Sequence, residues 1–213
     1  ARKLAVKSRT SLANQLRGLL LEFGITIKEG ISNIKLLPEI LENKDKNLGE
    51  RGILIFTQLY EDFKESDKRV AFYTGLIEQD AKESPQCDAI MKIEGIGPLT
   101  ASAMVASIGN GSAFKNGREV AAWLGLVPSQ HSSGHKTRLG GISKRGDTYL
   151  RTLLIHGARS VVNNSVNKLD KKSLWINALK DRSSFNKTAV ALANKNARVI
   201  WSILSTGECY RCA

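Results

Sequence analysis

Four serines, two histidines and four cations fall in one stretch, Pro128 to Gly146, which reads PSQHSSGHKTRLGGISKRG and contains no acidic residue. Ser129, Ser132, Ser133 and Ser143 supply hydroxyl nucleophiles, and Lys136, Arg138, Lys144 and Arg145 supply fixed positive charge. Attack of an oxygen on a phosphodiester builds negative charge that such cations stabilise, so the pairing of residue types suits phosphodiester chemistry. A serine hydroxyl is a weak nucleophile near neutral pH and needs a base, a metal-bound oxygen or surrounding cations to favour its alkoxide. His131, His135 and His156 are the imidazoles available by type, and none is favoured over the others. The competing reading of the same composition is a solvated, flexible Ser/Gly loop. Long loops without apolar periodicity are uncommon in compact domains and are mostly functional or disordered.

Charge distribution favours function. The 213 residues hold 32 Lys and Arg against 20 Asp and Glu, a net charge of +12. Divided at Pro85, the first part has 14 basic and 13 acidic residues and the second 18 and 7, so the excess lies after Pro85. A basic field concentrated in one part of a chain is the footprint of a polyanion partner, because cations that replace condensed counterions supply sequence-independent affinity. No basic amphipathic helix stands beside an exposed apolar face, which ranks an anionic membrane lower. No apolar run approaches a membrane span and the first residues, Ala1-Arg2-Lys3, lack a signal-peptide core, so an intracellular, cytoplasmic protein is expected. Of the cysteines Cys87, Cys209 and Cys212, the last two have zinc-like spacing, but one pair does not make four ligands, and free thiols are expected.

The elements that must position the serine stretch read as helices. Leu12, Leu16, Leu19, Leu20 and Phe23 recur at three- and four-residue intervals before Gly24. Ile34, Leu37 and Leu41 suggest a shorter helix near Pro38, and the polar run Asn43 to Asn47 a turn. From about Leu48 to Ser84 the apolar residues keep a seven-residue register, with Phe56, Phe63, Val70 and Ile77 at one position and Leu59 and Tyr73 at the other. That is a coiled-coil seam of about three heptads, open either to a second copy of the chain or to the first helix. Ser84-Pro85 ends the helix and predicts a boundary between a helical region, 1–84, and a basic domain, 85–213. Within about 89–108, Gly95-Ile96-Gly97-Pro98 joins two short helices in a helix-hairpin-helix pattern. Gly95 and Gly97 would let backbone approach a phosphate, with Thr100 on the helix that follows; an ordinary turn between core helices is the alternative.

Further on, Arg118 to Leu124 forms a short helix and Asp147 caps a helix from Tyr149 to about Asn163, whose first turn carries Arg151 toward the loop cations. Trp175 to Leu179 lies in another helix. Asn186 to Thr206 is the last, with Val190, Ala193, Ala197, Ile200, Trp201 and Leu204 on its inner face and Gly207 as its stop. No strand pattern is strong enough to name, and the fold class is mainly α.

The stretch IEGIGPLTASAMVASIGNGSAFKNGREVAAWLGLVPSQHSSGHKTRLGGISKRGDTYLRTLLIHGAR resembles the C-terminal transposase domain of the insertion-sequence-110 family, named also for insertion sequences 116 and 902. SRTSLANQLRGLLLEFGI and NKTAVALANKNARVIWSIL are similar to that family's helical insertion and terminal helix, so the resemblance covers essentially the whole chain, with the motifs in the family's order.

The resemblance implies a DNA transposase or recombinase whose nucleophilic serine directly precedes a glycine after a G-L-x-P segment; the matching residue is Ser133, followed by Gly134. Attack on DNA would leave a covalent phosphoserine intermediate, with Lys136, Arg138, Lys144, Arg145 and Arg151 as phosphate-binding candidates beside Gly95, Gly97 and Thr100. It also implies an RuvC-like N-terminal domain with four acidic residues and a structured guide RNA that bridges target and donor DNA. Residues matching that domain are not among these 213, so the divalent metal, Mg, is expected there, none in this chain, and this fragment is expected to be inactive alone. DNA, a guide RNA and a second copy through the coiled coil are the expected partners, with no membrane. The alternative is a non-catalytic DNA- or RNA-binding module on a coiled-coil oligomerisation stalk.

Overall fold

The computed structural model describes residues 1–43, 45–133, 136–208 and 210, with the backbone alone for 43, 45–47, 131–133, 136 and 137. Among them the chain is mainly α, as its sequence implies: ten helices and one two-stranded antiparallel sheet. It divides into two compact units, Ala1–Leu76 and Ile77–Ala213. Among the described residues no helix is long and apolar enough to cross a membrane.

The first unit contains α1 (Arg2–Glu22), α2 (Ile31–Ile34), α3 (Leu37–Asn43) and most of α4 (Asp45–Glu83). Instead of the turn expected over Asn43 to Asn47, Asn43 closes α3 and residues 45–47 already belong to α4; the break comes at Gly49, whose φ of 62° no regular helix contains. The regularly spaced apolar residues of α1 and α4 face each other. Ala13, Leu16 and Leu20 share a core with Phe56 and Phe63, and the Phe23 ring meets that of Phe56 edge-on at 5.9 Å. The helices run antiparallel, since Arg2 Nε donates to Thr74 Oγ1 at 2.8 Å while Arg9 Nη1 reaches Asp67 Oδ1 at 2.7 Å. The heptad positions Phe56, Phe63 and Val70 are thus buried within a single chain. Over Phe56 and Phe63 the first helix supplies the facing apolar stripe, the alternative to a second copy of the chain.

The second unit takes the end of α4 from Ile77, whose Ala81 is buried in its core, and adds α5 (Pro85–Met91), α6 (Pro98–Ile108), α7 (Gly117–Trp123), β1 (Pro128–Ser133), β2 (Lys136–Ile142), α8 (Thr148–Asn163), α9 (Lys171–Arg182) and α10 (Phe185–Thr206). Side chains fix the helix starts. Ser84 Oγ accepts from Cys87 N, Asn116 from Arg118 N and Glu119 N, Asp147 from Leu150 N and Asp170 from Ser173 N. Gly207, at φ 72°, ends α10. The centre of this unit is α10, which buries Ala189, Leu192, Ala193, Ala197, Ile200 and Leu204 and packs on α5, α7, α8 and α9. Its alanines let the surrounding helices approach closely.

The serine stretch, read from sequence as a loop without strands, is largely a β-hairpin. Ser133 pairs with Lys136, Ser132 with Thr137, His131 with Arg138 and Gln130 with Leu139. The register then shifts so that Pro128 pairs with Ile142, leaving Gly140 and Gly141 opposite the single Ser129. This is a β-bulge, and Ser129 Oγ donates across it to Gly141 O at 3.1 Å.

Candidate functional site

The hairpin stem grows out of the end of α7. Ser143 N donates to Val127 O at 2.8 Å and Lys144 N to Gly125 O at 3.2 Å, which continues the pairing beyond the strands toward the helical core. Where the chain leaves the hairpin it passes so close to α7 that a Cβ on Gly146 would overlap Trp123 O, and the φ of 131° there is one that L side chains rarely adopt. Glycine is therefore required for the stem to close. Ser133 occupies the last position of β1, at the far end of the hairpin from this anchor. Gly134 and His135, which follow it, lie outside the described residues, as do the side chains of His131, Ser133 and Lys136.

The described cations of the stretch are turned to solvent. Arg138, Lys144 and Arg145 are all exposed, and from Pro128 to Gly146 no carboxylate competes for them. The nearest acid in sequence, Asp147, is occupied as the cap of α8, accepting from Leu150 N at 2.9 Å.

Arg151 does not join them. Only 8% of its surface is accessible, and its guanidinium serves backbone and hydroxyl acceptors inside the fold. Nη1 donates to Leu124 O at 3.0 Å and Gly146 O at 3.5 Å, and Nη2 to Thr148 Oγ1 at 3.2 Å. Leu124 is the C-cap of α7, where carbonyl dipoles favour a cation. One side chain from α8 thus ties the end of α7 to the exit of the hairpin. The guanidinium is thus committed to the acceptors at that junction, which its planar set of five donors matches.

The glycine turn between α5 and α6 is also held inward. Gly95, at φ 86°, meets Gly157 of α8 so closely that a Cβ on it would lie 2.7 Å from Gly157 O. Glu94 beside it accepts from Asn196 Nδ2 at 3.4 Å through its carbonyl and pairs with Lys168 at 3.4 Å and Lys172 at 3.2 Å through its carboxylate. Thr100 is buried, at 7% accessible. Gly97 is different: it is exposed, caps α6, and has open space where a Cβ would stand. His156 is exposed on α8. Among the described residues no three of His, Cys, Asp and Glu converge as a metal site would require. Cys87 is a free thiol buried in the core, while Cys209 and Cys212 lie outside the described residues.

Sequence reasoning missed a second basic surface, on the outer side of α10. Arg118, Lys195 and Arg198 stand there with Trp175 and Trp201. The available signal was the recurrence of Lys195 and Arg198 on the helix face opposite Ala193 and Ala197, but without the positions of α7 and α9 it does not stand apart from any solvated face.

A basic, mainly helical module that presents a serine-bearing cationic hairpin is the class of protein these observations define. Residues 87–173 match the sequence profile of the family described as Transposase IS116/IS110/IS902. A Pseudomonas aeruginosa protein described as "Probable family 20 transposase" is 44% identical over 212 residues, covering 99% of this chain and 63% of that protein. The transposase for insertion sequence element IS1111A of Coxiella burnetii is 45% identical over 208 residues, 97% of this chain and 57% of its own. The transposase for insertion sequence element IS1328 of Yersinia enterocolitica is 32% identical over 209 residues, 98% of this chain and 62% of its own. The chain belongs to the IS116/IS110/IS902 transposase family and spans less than two thirds of the length of these relatives.

Proposed function

We propose that this chain supplies the serine-bearing domain of a DNA transposase, with Ser133 as the nucleophile and Lys136, Arg138, Lys144 and Arg145 as the groups that hold DNA phosphates. The observation that carries the reading is the exposure of Arg138, Lys144 and Arg145 on a hairpin free of carboxylates, with the serine that matches the family's motif at the end of its first strand. In the reaction, the Ser133 oxygen forms a bond to phosphorus as the bond from phosphorus to a deoxyribose oxygen breaks. The serine loses its proton and the departing sugar oxygen gains one, so a diester is exchanged for a diester and the bond energy is retained for rejoining. Nearby cations stabilise the extra charge on the phosphoryl oxygens as this happens.

Divalent metal in the wider family resemblance belongs to an acidic domain. A structured RNA acting as guide in the complete protein, in the bacterial cytoplasm, is part of the same proposal. The competing reading is a non-catalytic module on an oligomerisation stalk; it keeps the cations, and the packing of Phe56 and Phe63 with α1 favours it less.

The test uses the complete protein with its RNA, Mg and DNA, and looks for a protein–DNA adduct that survives denaturation. Ser133→Ala should abolish it while Ser132→Ala preserves it. The opposite pattern displaces the nucleophile by one residue, and an adduct formed by both variants rejects the serine mechanism.

A further inference from the structure

The second basic surface is one end of a longer groove along α10. At this end lies a depression of about 740 Å³ whose walls include Arg118 of α7, Trp175 of α9, and Lys195, Arg198 and Trp201 of α10. At the other end, a depression of about 600 Å³ at the base of the hairpin is bordered by Gly141, Ile142, Lys144, Lys187 and Val190. Ala191 and Asn194 line both, so the two adjoin across one turn of α10. From Lys187 to Arg198 the helix runs about 16 Å, at about 1.5 Å per residue.

The chemistry of the lining is uniform. Arg118, Lys144, Lys187, Lys195 and Arg198 contribute five cations, and no aspartate or glutamate borders either depression. All five are exposed, and among the described residues none makes an ion pair. Aromatic surface stands among them. The half-buried Trp175 ring has the Lys195 ammonium 4.7 Å from its centre, and Trp201 is fixed by donation from its Nε1 to Gly111 O at 3.0 Å. The approach of α10 to α7 that brings Arg118 beside Arg198 depends on Gly117, where a Cβ would lie 2.9 Å from Arg198 Cα.

We infer that this groove binds an unpaired strand of nucleic acid, led from the hairpin along α10 to an aromatic and cationic pocket between α7 and α9. A duplex hides its base faces in its own stack and could use only the cations. An unpaired strand offers both phosphates for Arg118, Lys187, Lys195 and Arg198 and a free base face for Trp175, which is the combination that single-strand sites use. When a base stacks on Trp175, the Lys195 ammonium is released from the ring toward a phosphate. Val190, Ala191 and the aliphatic parts of the lysines provide apolar wall for sugar and base edges. The inference rests on the chain acting on nucleic acid, but it does not require Ser133 to be a nucleophile.

The test measures fluorescence anisotropy of short labelled oligothymidylate, oligouridylate and a duplex of equal length with this chain, at one fixed salt concentration. The double variant Lys195→Ala/Arg198→Ala, both exposed positions, should lose affinity for a single strand on the order of tenfold, while duplex affinity changes less than about twofold. Oligonucleotide should quench tryptophan emission, and Trp175→Phe should remove most of the quenching. A loss confined to oligouridylate assigns the groove to RNA, a loss confined to oligothymidylate to a displaced DNA strand, and a loss in both to single strands generally. Unchanged single-strand affinity in the double variant, or an equal loss for duplex, overturns the inference. If the double variant loses single-strand binding and the complete protein still forms its Ser133 adduct, the groove stands apart from the chemistry; if the double variant loses single-strand binding while Ser133→Ala still forms the adduct, the serine mechanism falls and the groove remains.

Discussion

Arg151 of α8 donates from Nη1 to the carbonyl of Leu124 at the end of α7, 3.0 Å away. A charged side chain in a helix that begins beside a cationic hairpin is thereby turned from the surface to the interior, where it holds the hairpin exit through Gly146 O as well. Removing it leaves the buried Leu124 carbonyl without this donor. Arg151→Met, which keeps the apolar stem, should lower stability by about 2–3 kcal/mol, measured by urea denaturation. Arg151→Lys should recover only part, since an ammonium lacks the planar fork that spans Leu124 O and Thr148 Oγ1.

The two glycines of the α5–α6 turn should respond in opposite ways. Gly95→Ala places a methyl group against Gly157 of α8 at a positive φ, and should cost at least about 2 kcal/mol in the same measurement. Gly97→Ala meets open space and should leave the fold intact. Weakened DNA binding by a folded Gly97→Ala variant would mark the turn as a backbone contact to phosphate; unchanged binding confines its role to packing.

Phe63 is fully buried between α4 and the helices of its own unit. Phe63→Asp should therefore unfold the first unit, seen as lost helical circular dichroism, at a cost of at least about 3 kcal/mol. Dissociation of an oligomer into folded monomers, observed by light scattering, is the outcome that would restore an intermolecular seam.

Much of the fold could be read directly, and the failures have physical reasons. The helix start at Asp147 and the stop at Gly207 follow from local hydrogen bonding, which depends on few neighbours. The heptad register of Phe56, Phe63 and Val70 correctly marked a buried stripe, but periodicity does not say whether the covering helix belongs to the same chain. The hairpin escaped because Gly140 and Gly141 bulge opposite Ser129, which breaks the alternation by which strands are recognised, and because its residues are hydroxyls and cations instead of β-branched side chains. Arg151 and the α10 groove escaped for a common reason. Charge type predicts the surface, and only the positions of α7 and α9 separate a buried arginine, or a cation beside Trp175, from an ordinary solvated one.

Asp67 carries a pH-dependent part of the first unit's stability. The hydrogen bond from Arg9, with the charges of Arg9 and Lys35, holds its carboxyl below the usual carboxylate range against an opposing effect of burial. A carboxylate depressed in the folded state stabilises above the unfolded value of about 4, and the contribution disappears as pH falls through the folded value. Asp67→Asn should thus be less stable than the parent at pH 7, by about 1 kcal/mol or less for a partly exposed pair. The difference should shrink progressively below about pH 4. A constant difference between pH 7 and pH 2 would show that the ion pair is not its origin.

Salt dependence separates the hairpin cations from Arg151. Lys136, Arg138, Lys144 and Arg145 are proposed to meet duplex phosphates, and four such contacts give a slope of log affinity against log salt of about −3.6, from about −0.9 for each. Neutralising Arg138 or Arg145, both exposed, should reduce the magnitude of the slope by about one unit. Arg151, whose guanidinium is committed to Leu124 O, Gly146 O and Thr148 Oγ1, should contribute none of it. Arg151→Met is therefore expected to retain the parent's slope at temperatures where it remains folded, even though it is the variant that weakens the hairpin's attachment. A slope that falls by one unit in Arg151→Met and stays unchanged in Arg138→Ala would reverse the assignment, placing the phosphate contact at the junction of α7 and α8 instead of on the strands.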